Sequence, residues 1–281
     1  MSKDIESNQS ADRNFLLDQE SVLTDQFSRQ GFVVHQAESS EALDYIRAQT
    51  AIAAASALNM SAPDDPGAFL NTVDQHVDVG GLNNLRMSVI ESLLGLPDFH
   101  INYFNCARGL LESLVGNELA MQRNIALSVQ LPDDDGSLLP LHSDAWGSEC
   151  SPFEVVLWVP LVDCYDTKSM YLLPPEANAK WVTQLEDFKD DGVEALFKAI
   201  EPEVTWVNIK YGEVLAFTPS VMHGNRVNQT DETRWSFNIR FKGLFTPYSG
   251  KRLGEYFMPI SVRPASRVGL EFEMPGAFDD S

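Results

Sequence analysis

Basic residues are scarce in this chain: 20 Lys and Arg stand against 41 Asp and Glu, a formal net charge of −21. Phosphate binding needs clustered cations, so this balance argues against nucleic acid and against an anionic membrane surface as partners. The excess acid reads as a solvated exterior. Cysteine is as sparse. Cys106, Cys150 and Cys164 are an odd number with no CxxC spacing. That leaves neither a disulfide framework nor a zinc–cysteine site, and the expected setting is reducing and cytoplasmic. Long apolar runs are missing too. The longest aliphatic run, Ala51 to Leu58, is far too short for a bilayer, and the opening MSKDIESNQSADRN has no apolar signal core.

What remains is an ordinary globular mixture, 44 % hydrophobic in 281 residues, long enough to bury one good core as a single domain. Residues 1 to about 13 are polar and expected to fray. Helical spacing then recurs: Leu16, Leu23 and Phe27 before Gly31; Leu43 and Ile46 after a serine cap at 39 or 40; Leu82, Leu85, Val89 and Leu93; and a last helix from about Tyr103 to Leu119. GFVVH reads as a short strand among them, and SAPDDPG as a loop. After Met121 the period becomes two. NIALSVQL, LLPLHSDAW, FEVVLWVPLV, SMYLLP, EVTWVNI, GEVLAFTP and RWSFNIRF read as strands. An amphipathic helical insertion covers 176–200, and an extended arm with Pro259, Pro264 and Pro275 follows from Met258. Helices followed by many antiparallel strands predict a sandwich or barrel backed by helices. The parts are 1–120 helical, 121–250 core and 251–281 arm.

The chain has five histidines, His35, His76, His100, His142 and His223. The first three read as structural. On a strand, His142 and Asp144 share one face while Ser143 turns away. His223 follows another predicted strand and closes a facial triad. Two imidazoles and one carboxylate leave three positions of an octahedral Fe(II) free. HxD alone is a weak signal. Eleven residues past His223 comes Arg234, then Ser236. Alternation in RWSFNIRF puts Arg234, Ser236, Asn238 and Arg240 on one face and Trp235, Phe237, Ile239 and Phe241 on the other. An inward Arg beside a Ser makes a carboxylate clamp: a planar fork plus a hydroxyl donor.

The order HxD, long gap, His, R-x-S resembles the Fe(II)/2-oxoglutarate-dependent oxygenases, phytanoyl-CoA hydroxylase-like branch. The distal run GEVLAFTPSVMHGNRVNQTDETRWSFNIRF and the segment FEVVLWVPLVDCYDTKSMYLLP carry the likeness. HSDAW to KSMYLLP is similar to oxygenases of sporadic surface-carbohydrate gene clusters. The overlap covers about 120 to 250; the helical first third matches only in general character. The resemblance implies an α+β, mainly β fold: a double-stranded β-helix (jelly roll, cupin-like) of about eight strands, with N-terminal helices packed on the larger sheet. It implies Fe(II) on His142, Asp144 and His223, with 2-oxoglutarate and O2 as co-substrates. Arg234 and Ser236 would bind the distal carboxylate, and Gln130, Trp158 and Asn225 would line the co-substrate pocket. A carboxylate at Asp144 argues against halogenation.

The expected substrate is a small polar metabolite, with a sugar or sugar-linked precursor as the class suggested by analogy. The outcome could be hydroxylation, desaturation or epimerisation. Candidate substrate contacts are Lys168 in the loop DTKSM, Arg240, Asn124 and Trp146, the last able to stack on a ring. Arg86 and Arg108 read as surface charges, and Cys150 and Cys164 as inert thiols. Three alternatives stay open: a cupin-like metal isomerase or lyase without 2-oxoglutarate, an amino-acid or natural-product tailoring hydroxylase, and a carbohydrate-binding sandwich without catalysis. Oligomeric state is not set by any motif.

Overall fold

The structure is a computed structural model that describes residues 15–147 and 150–273. The polar opening to residue 13 and Pro275 therefore lie outside the described residues. Helix α1 (Asp18–Gln30) ends at Gly31, whose φ of 76° is the left-handed conformation that glycine adopts without a Cβ clash. Strand β1 (Phe32–Gln36) follows. Helix α2 (Ser40–Ala57) starts where the Ser39 hydroxyl accepts the Ala42 N–H. In SAPDDPG, Asp65 caps a short helix, α3 (Pro66–Asn71). Asp78 caps α4 (Val79–Leu94), whose buried stripe is Leu82, Leu85, Val89 and Leu93.

The single helix expected from Tyr103 to Leu119 is instead two, α5 (Phe99–Asn105) and α6 (Arg108–Leu114), and Leu119 begins a strand. The break has a partner far away in sequence. Glu38 accepts the N–H groups of Gly109 and Leu110 at 2.7 and 2.8 Å. A carboxylate at a helix start satisfies free donors and opposes the positive end of the dipole, so a new helix begins there.

The strands are β2 (Leu119–Gln122), β3 (Ala126–Gln130), β4 (Glu154–Pro160), β5 (Tyr171–Leu172), β6 (Thr205–Trp206), β7 (Glu213–Phe217), β8 (His223–Gly224), β9 (Arg234–Gly243) and β10 (Phe257–Ser261). The large sheet runs β1-β7-β4-β9-β2-β10, with β3 also paired to β9; the small sheet runs β6-β5-β8, and all pairings in both are antiparallel. The insertion forms α7 (Pro175–Val182) and α8 (Gly192–Ile200), and α9 (Pro264–Leu270) comes last.

Three strand expectations are corrected. LLPLHSDAW contributes only a bridge at His142, because Pro140 has no N–H for a ladder and a 3₁₀ turn begins at Asp144. GEVLAFTP is shorter than expected, since β7 stops before Pro219, and His223 after it belongs to the other sheet. The arm from Met258 is not merely extended, since β10 pairs with the edge of β2 and α9 follows.

The helices cover one face of the large sheet. Trp235, Phe237, Ile239 and Phe241 of β9 are fully buried there. Phe237 packs edge-on against Phe99 at 5.4 Å, and Phe241 stacks with Tyr103 at 6.4 Å. Each such ring contributes about 1.5–3 kcal/mol from burial. A separate apolar cluster (Leu141, Tyr171, Leu173, Leu196, Phe197) joins the small sheet to α8. The other face of β9 looks into a cavity between the two sheets. Among the described residues, no helix is long and apolar enough to cross a membrane.

Candidate active site

The cavity holds about 240 Å³ and draws on both sheets. Ala126 and Ser128 of β3, Val156 and Trp158 of β4, Phe217 of β7 and Arg234, Asn238 and Arg240 of β9 line it from the large sheet. His142, His223, Gly224 and Asn225 line it from the small-sheet side, with Asp144 beside them. His142 and His223 are joined by reciprocal backbone hydrogen bonds of 3.0 and 2.8 Å, which fix their spacing. One ligand atom from each of His142, Asp144 and His223 lies within 4.8 Å of the others. The expected strand is absent at Asp144, yet the 3₁₀ turn still delivers its carboxylate to the imidazoles.

Both rings are set up as ligands. Nδ1 of His142 lies 2.8 Å from the Pro140 carbonyl, and Nδ1 of His223 lies 2.9 Å from that of Val221. A carbonyl only accepts, so each Nδ1 turns a hydrogen to it and Nε2 is the nitrogen that faces Asp144. Burial, reinforced by the neighbouring His142 and opposed by Asp144, lowers the His223 pKa to about 4. Its ring is neutral at ordinary pH, as ligation requires. A borderline donor set of two nitrogens and one oxygen suits a divalent transition metal such as Fe(II).

Arg234 is buried at the other end of the cavity. Its Nη1 donates to the Ser169 carbonyl and its Nη2 to Ser128 Oγ, each at 3.0 Å, while Nε has no partner. No carboxylate pairs with it among the described residues. Burial lowers its pKa to about 10, which still leaves it charged at neutral pH. Ser236 pairs in register with Ser128; its Oγ is buried without a partner, as is Ser169 Oγ. A buried cation among unused donors is arranged for an anion.

Arg240 differs. Its Nη2 lies 2.8 Å from Asp144 Oδ2 and its Nη1 lies 3.1 Å from Glu154 Oε2. Burial works against its charge, but Asp144 first, with Tyr256, Cys150 and Glu154 after it, outweighs burial and raises its pKa. The expected substrate contact is therefore engaged by two of the chain's own carboxylates.

Several expected contacts are not in the cavity. Lys168 is fully buried elsewhere, donating to Asn71 Oδ1 at 2.8 Å and Glu232 Oε2 at 2.6 Å. A buried ammonium needs such partners, and the loop turns inward to reach them. Asn124 is exposed ahead of β3, because strand alternation begins only at Ala126. Trp146, 43 % exposed, lines a separate groove with Leu185, Phe188 and Val193. The 3₁₀ turn is the cause: residues two apart share a face on a strand, not there. Ser236 and Gln130 are buried beside the cavity wall rather than lining it. Gln130 braces Asn225, accepting from its Nδ2 at 3.3 Å, and donates to the Arg226 carbonyl at 2.7 Å. Arg86 bonds Asn83 and Arg108 bonds Glu112, as surface charges do. Cys150 is held by Glu154 and Arg240, and burial first and Glu154 second push its pKa to about 11. Cys164 is fully buried, which pushes it to about 12.

Sequence reading missed Gln122, Tyr256 and Glu154. The Tyr256 hydroxyl donates to Gln122 Oε1 at 2.8 Å, and both line the cavity. Glu154 left one signal, a lone acid heading an apolar strand. Tyr256 left none, because only the pairing of β10 with β2 brings it to the site.

No family model matches the chain, and no curated protein matches it in sequence. Solved structures do resemble it. EvdMO1 superposes with a TM-score of 0.53 at 14 % identity, over 80 % of this chain and 50 % of that one. HygX from Streptomyces hygroscopicus, solved with nickel and 2-oxoglutarate bound, gives 0.49 at 16 % identity, over 85 % and 90 % of the two chains. The non-heme α-ketoglutarate-dependent epimerase SnoN from nogalamycin biosynthesis gives 0.47 at 19 %, over 80 % and 83 %. At 14 % identity the likeness to EvdMO1 is one of fold alone.

Proposed function

We propose that this chain is a non-haem Fe(II)/2-oxoglutarate-dependent dioxygenase of the phytanoyl-CoA hydroxylase-like branch, built on a double-stranded β-helix. The observation that carries this reading is the pairing within one cavity of two arrangements: histidines whose Nε2 atoms face Asp144, and a buried Arg234 with no carboxylate partner among the described residues. His142, Asp144 and His223 hold the metal. Arg234 and Ser236 take the distal carboxylate of 2-oxoglutarate, and Trp158, Asn225 and Phe217 wall it in. When bound, iron and its keto-acid supply the oxidising power for breaking a C–H bond. The cavity then has to orient a substrate and exclude water.

The substrate end is polar but, among the described residues, carries no free charge. Arg240 is paired to two carboxylates, and Gln122, Asn238 and Tyr256 offer neutral donors and acceptors. Asn238 Oδ1 is buried without a partner. Such a wall favours a hydroxyl- or amide-bearing metabolite. With the resemblance of HSDAW to KSMYLLP, a sugar or sugar-linked precursor is the class to screen first.

The test is an anaerobic titration of metal-free protein with Fe(II) and then 2-oxoglutarate, followed in the visible range. A weak charge-transfer band requiring both additions is the expected result. Iron binding without the band would move the assignment to a cupin-like metal isomerase or lyase. Absence of iron binding would overturn both.

A further inference from the structure

Arg240 sits six residues beyond Arg234 on β9, and its guanidinium spans from Asp144 to Glu154. Its position is fixed from behind. The Glu154 side chain is only 1 % exposed, and its Oε1 accepts the Ser151 N–H at 2.8 Å. Ser151 Oγ in turn donates to the Pro247 carbonyl at 2.8 Å. The contact with Asp144 is thus one end of a chain of charge-assisted and backbone hydrogen bonds. Cys150 Sγ also lies 3.4 Å from Arg240 Nη1, leaving that nitrogen little room to swing away.

We propose that Arg240, backed by Glu154, is a positioning residue that engages Asp144 Oδ2 and so keeps this carboxylate a one-oxygen ligand. The inference rests on the function proposed above. The physical point is coordination number. A facial triad leaves three positions, and a keto acid bound through two atoms plus O2 requires all three. A carboxylate bound through both oxygens would take one of them. Oδ1 lies 3.7 Å from His142 Nε2 and Oδ2 lies 3.9 Å from His223 Nε2, but a guanidinium 2.8 Å from Oδ2 competes for that oxygen and leaves Oδ1 the freer of the two. Partners behind metal ligands set ligand orientation and basicity, and removing one commonly weakens metal binding 10–100-fold.

The experiment uses the full-length protein and three variants: Arg240→Lys, which keeps the charge but loses the fork; Arg240→Gln; and the pair Arg240→Gln/Glu154→Gln, which removes both buried charges together and guards against misfolding. Circular dichroism selects the folded ones. Ni(II) affinity is read by calorimetry, and coordination number by the visible absorption of the Co(II) form. In Arg240→Gln and the double variant, Ni(II) affinity should fall roughly 10–100-fold. Their Co(II) spectrum should shift, and the Fe(II)–2-oxoglutarate band should weaken. Arg240→Lys should recover part of the affinity but not the native Co(II) spectrum. Folded variants with native Ni(II) affinity and a native Co(II) spectrum would overturn the inference while leaving the proposed function standing. A wild-type protein that binds neither metal nor keto acid would instead remove the reading on which it rests.

Discussion

Two arginines six positions apart on one strand face the same cavity and are treated in opposite ways. Arg240 is balanced by Asp144 and Glu154, and its surroundings, Asp144 foremost, raise its pKa. Among the described residues Arg234 has only a carbonyl and a hydroxyl to donate to, and burial lowers its pKa. A satisfied buried charge is part of the scaffold. An unsatisfied one is a stability cost that folding carries for the sake of a ligand. Under the proposed function, the contrast separates a residue that would hold the site together from one that would wait to receive a carboxylate.

Replacing the waiting residue should have the largest effect on binding and the unexpected sign on stability. Arg234→Met should reduce 2-oxoglutarate affinity on the order of 100-fold or more, because a charge-assisted fork is lost. Metal affinity should stay near native, since Arg234 makes no contact with the triad. Without ligand, the same variant should melt at or above the wild-type temperature, because an unpaired buried cation has been replaced by an apolar side chain of similar length. Calorimetry with 2-oxoglutarate and a ligand-free melt check the two halves. A lower ligand-free melting temperature would mean that Arg234 is structural.

The balanced residue should behave in reverse. Arg240→Met leaves Glu154 buried and Asp144 unpaired, so ligand-free stability should drop by about 3 kcal/mol in denaturant titration. Adding Glu154→Met should restore a good part of that loss, because the pair is then absent rather than broken. A double variant no more stable than the single would show that Glu154 has support independent of Arg240.

The contrast between the two arginines was only half legible in the sequence. Alternation along RWSFNIRF correctly put Arg234 and Arg240 on one face and the four aromatic and aliphatic residues on the helix-covered face, because a central strand repeats every two residues whatever its neighbours do. The triad was legible from residue types and order, although its supposed strand geometry was wrong: a 3₁₀ turn and a bridge do the work of a strand at His142 and Asp144. Trp146 and Asn124 were misplaced for the same reason, alternation extended past the end of a ladder. Lys168 was misplaced because its partners, Asn71 and Glu232, lie far off in sequence. The break at Cys106 was invisible for a like reason, since its cap is Glu38. What a periodic pattern carries is the face of a residue within an element. What it cannot carry is the identity of a partner brought in by topology.

Ser236 offers the finest cut between waiting and holding. It lies on the Arg234 side of β9, paired in register with Ser128, yet its buried Oγ makes no hydrogen bond among the described residues. If that hydroxyl exists for a ligand carboxylate, Ser236→Ala removes nothing from the ligand-free fold and should leave its stability within about 1 kcal/mol of wild type, on the favourable side. The same change should weaken 2-oxoglutarate roughly tenfold, the loss of one hydrogen bond to a charged group. The expected signature is a melting temperature unchanged without ligand and a smaller upward shift when Ni(II) and 2-oxoglutarate are added. A drop in the ligand-free melt with native keto-acid affinity would place Ser236 with Arg240 among the groups that hold the site. The carboxylate would then be left to Arg234 and the unpartnered hydroxyl of Ser169, the other free donor beside it.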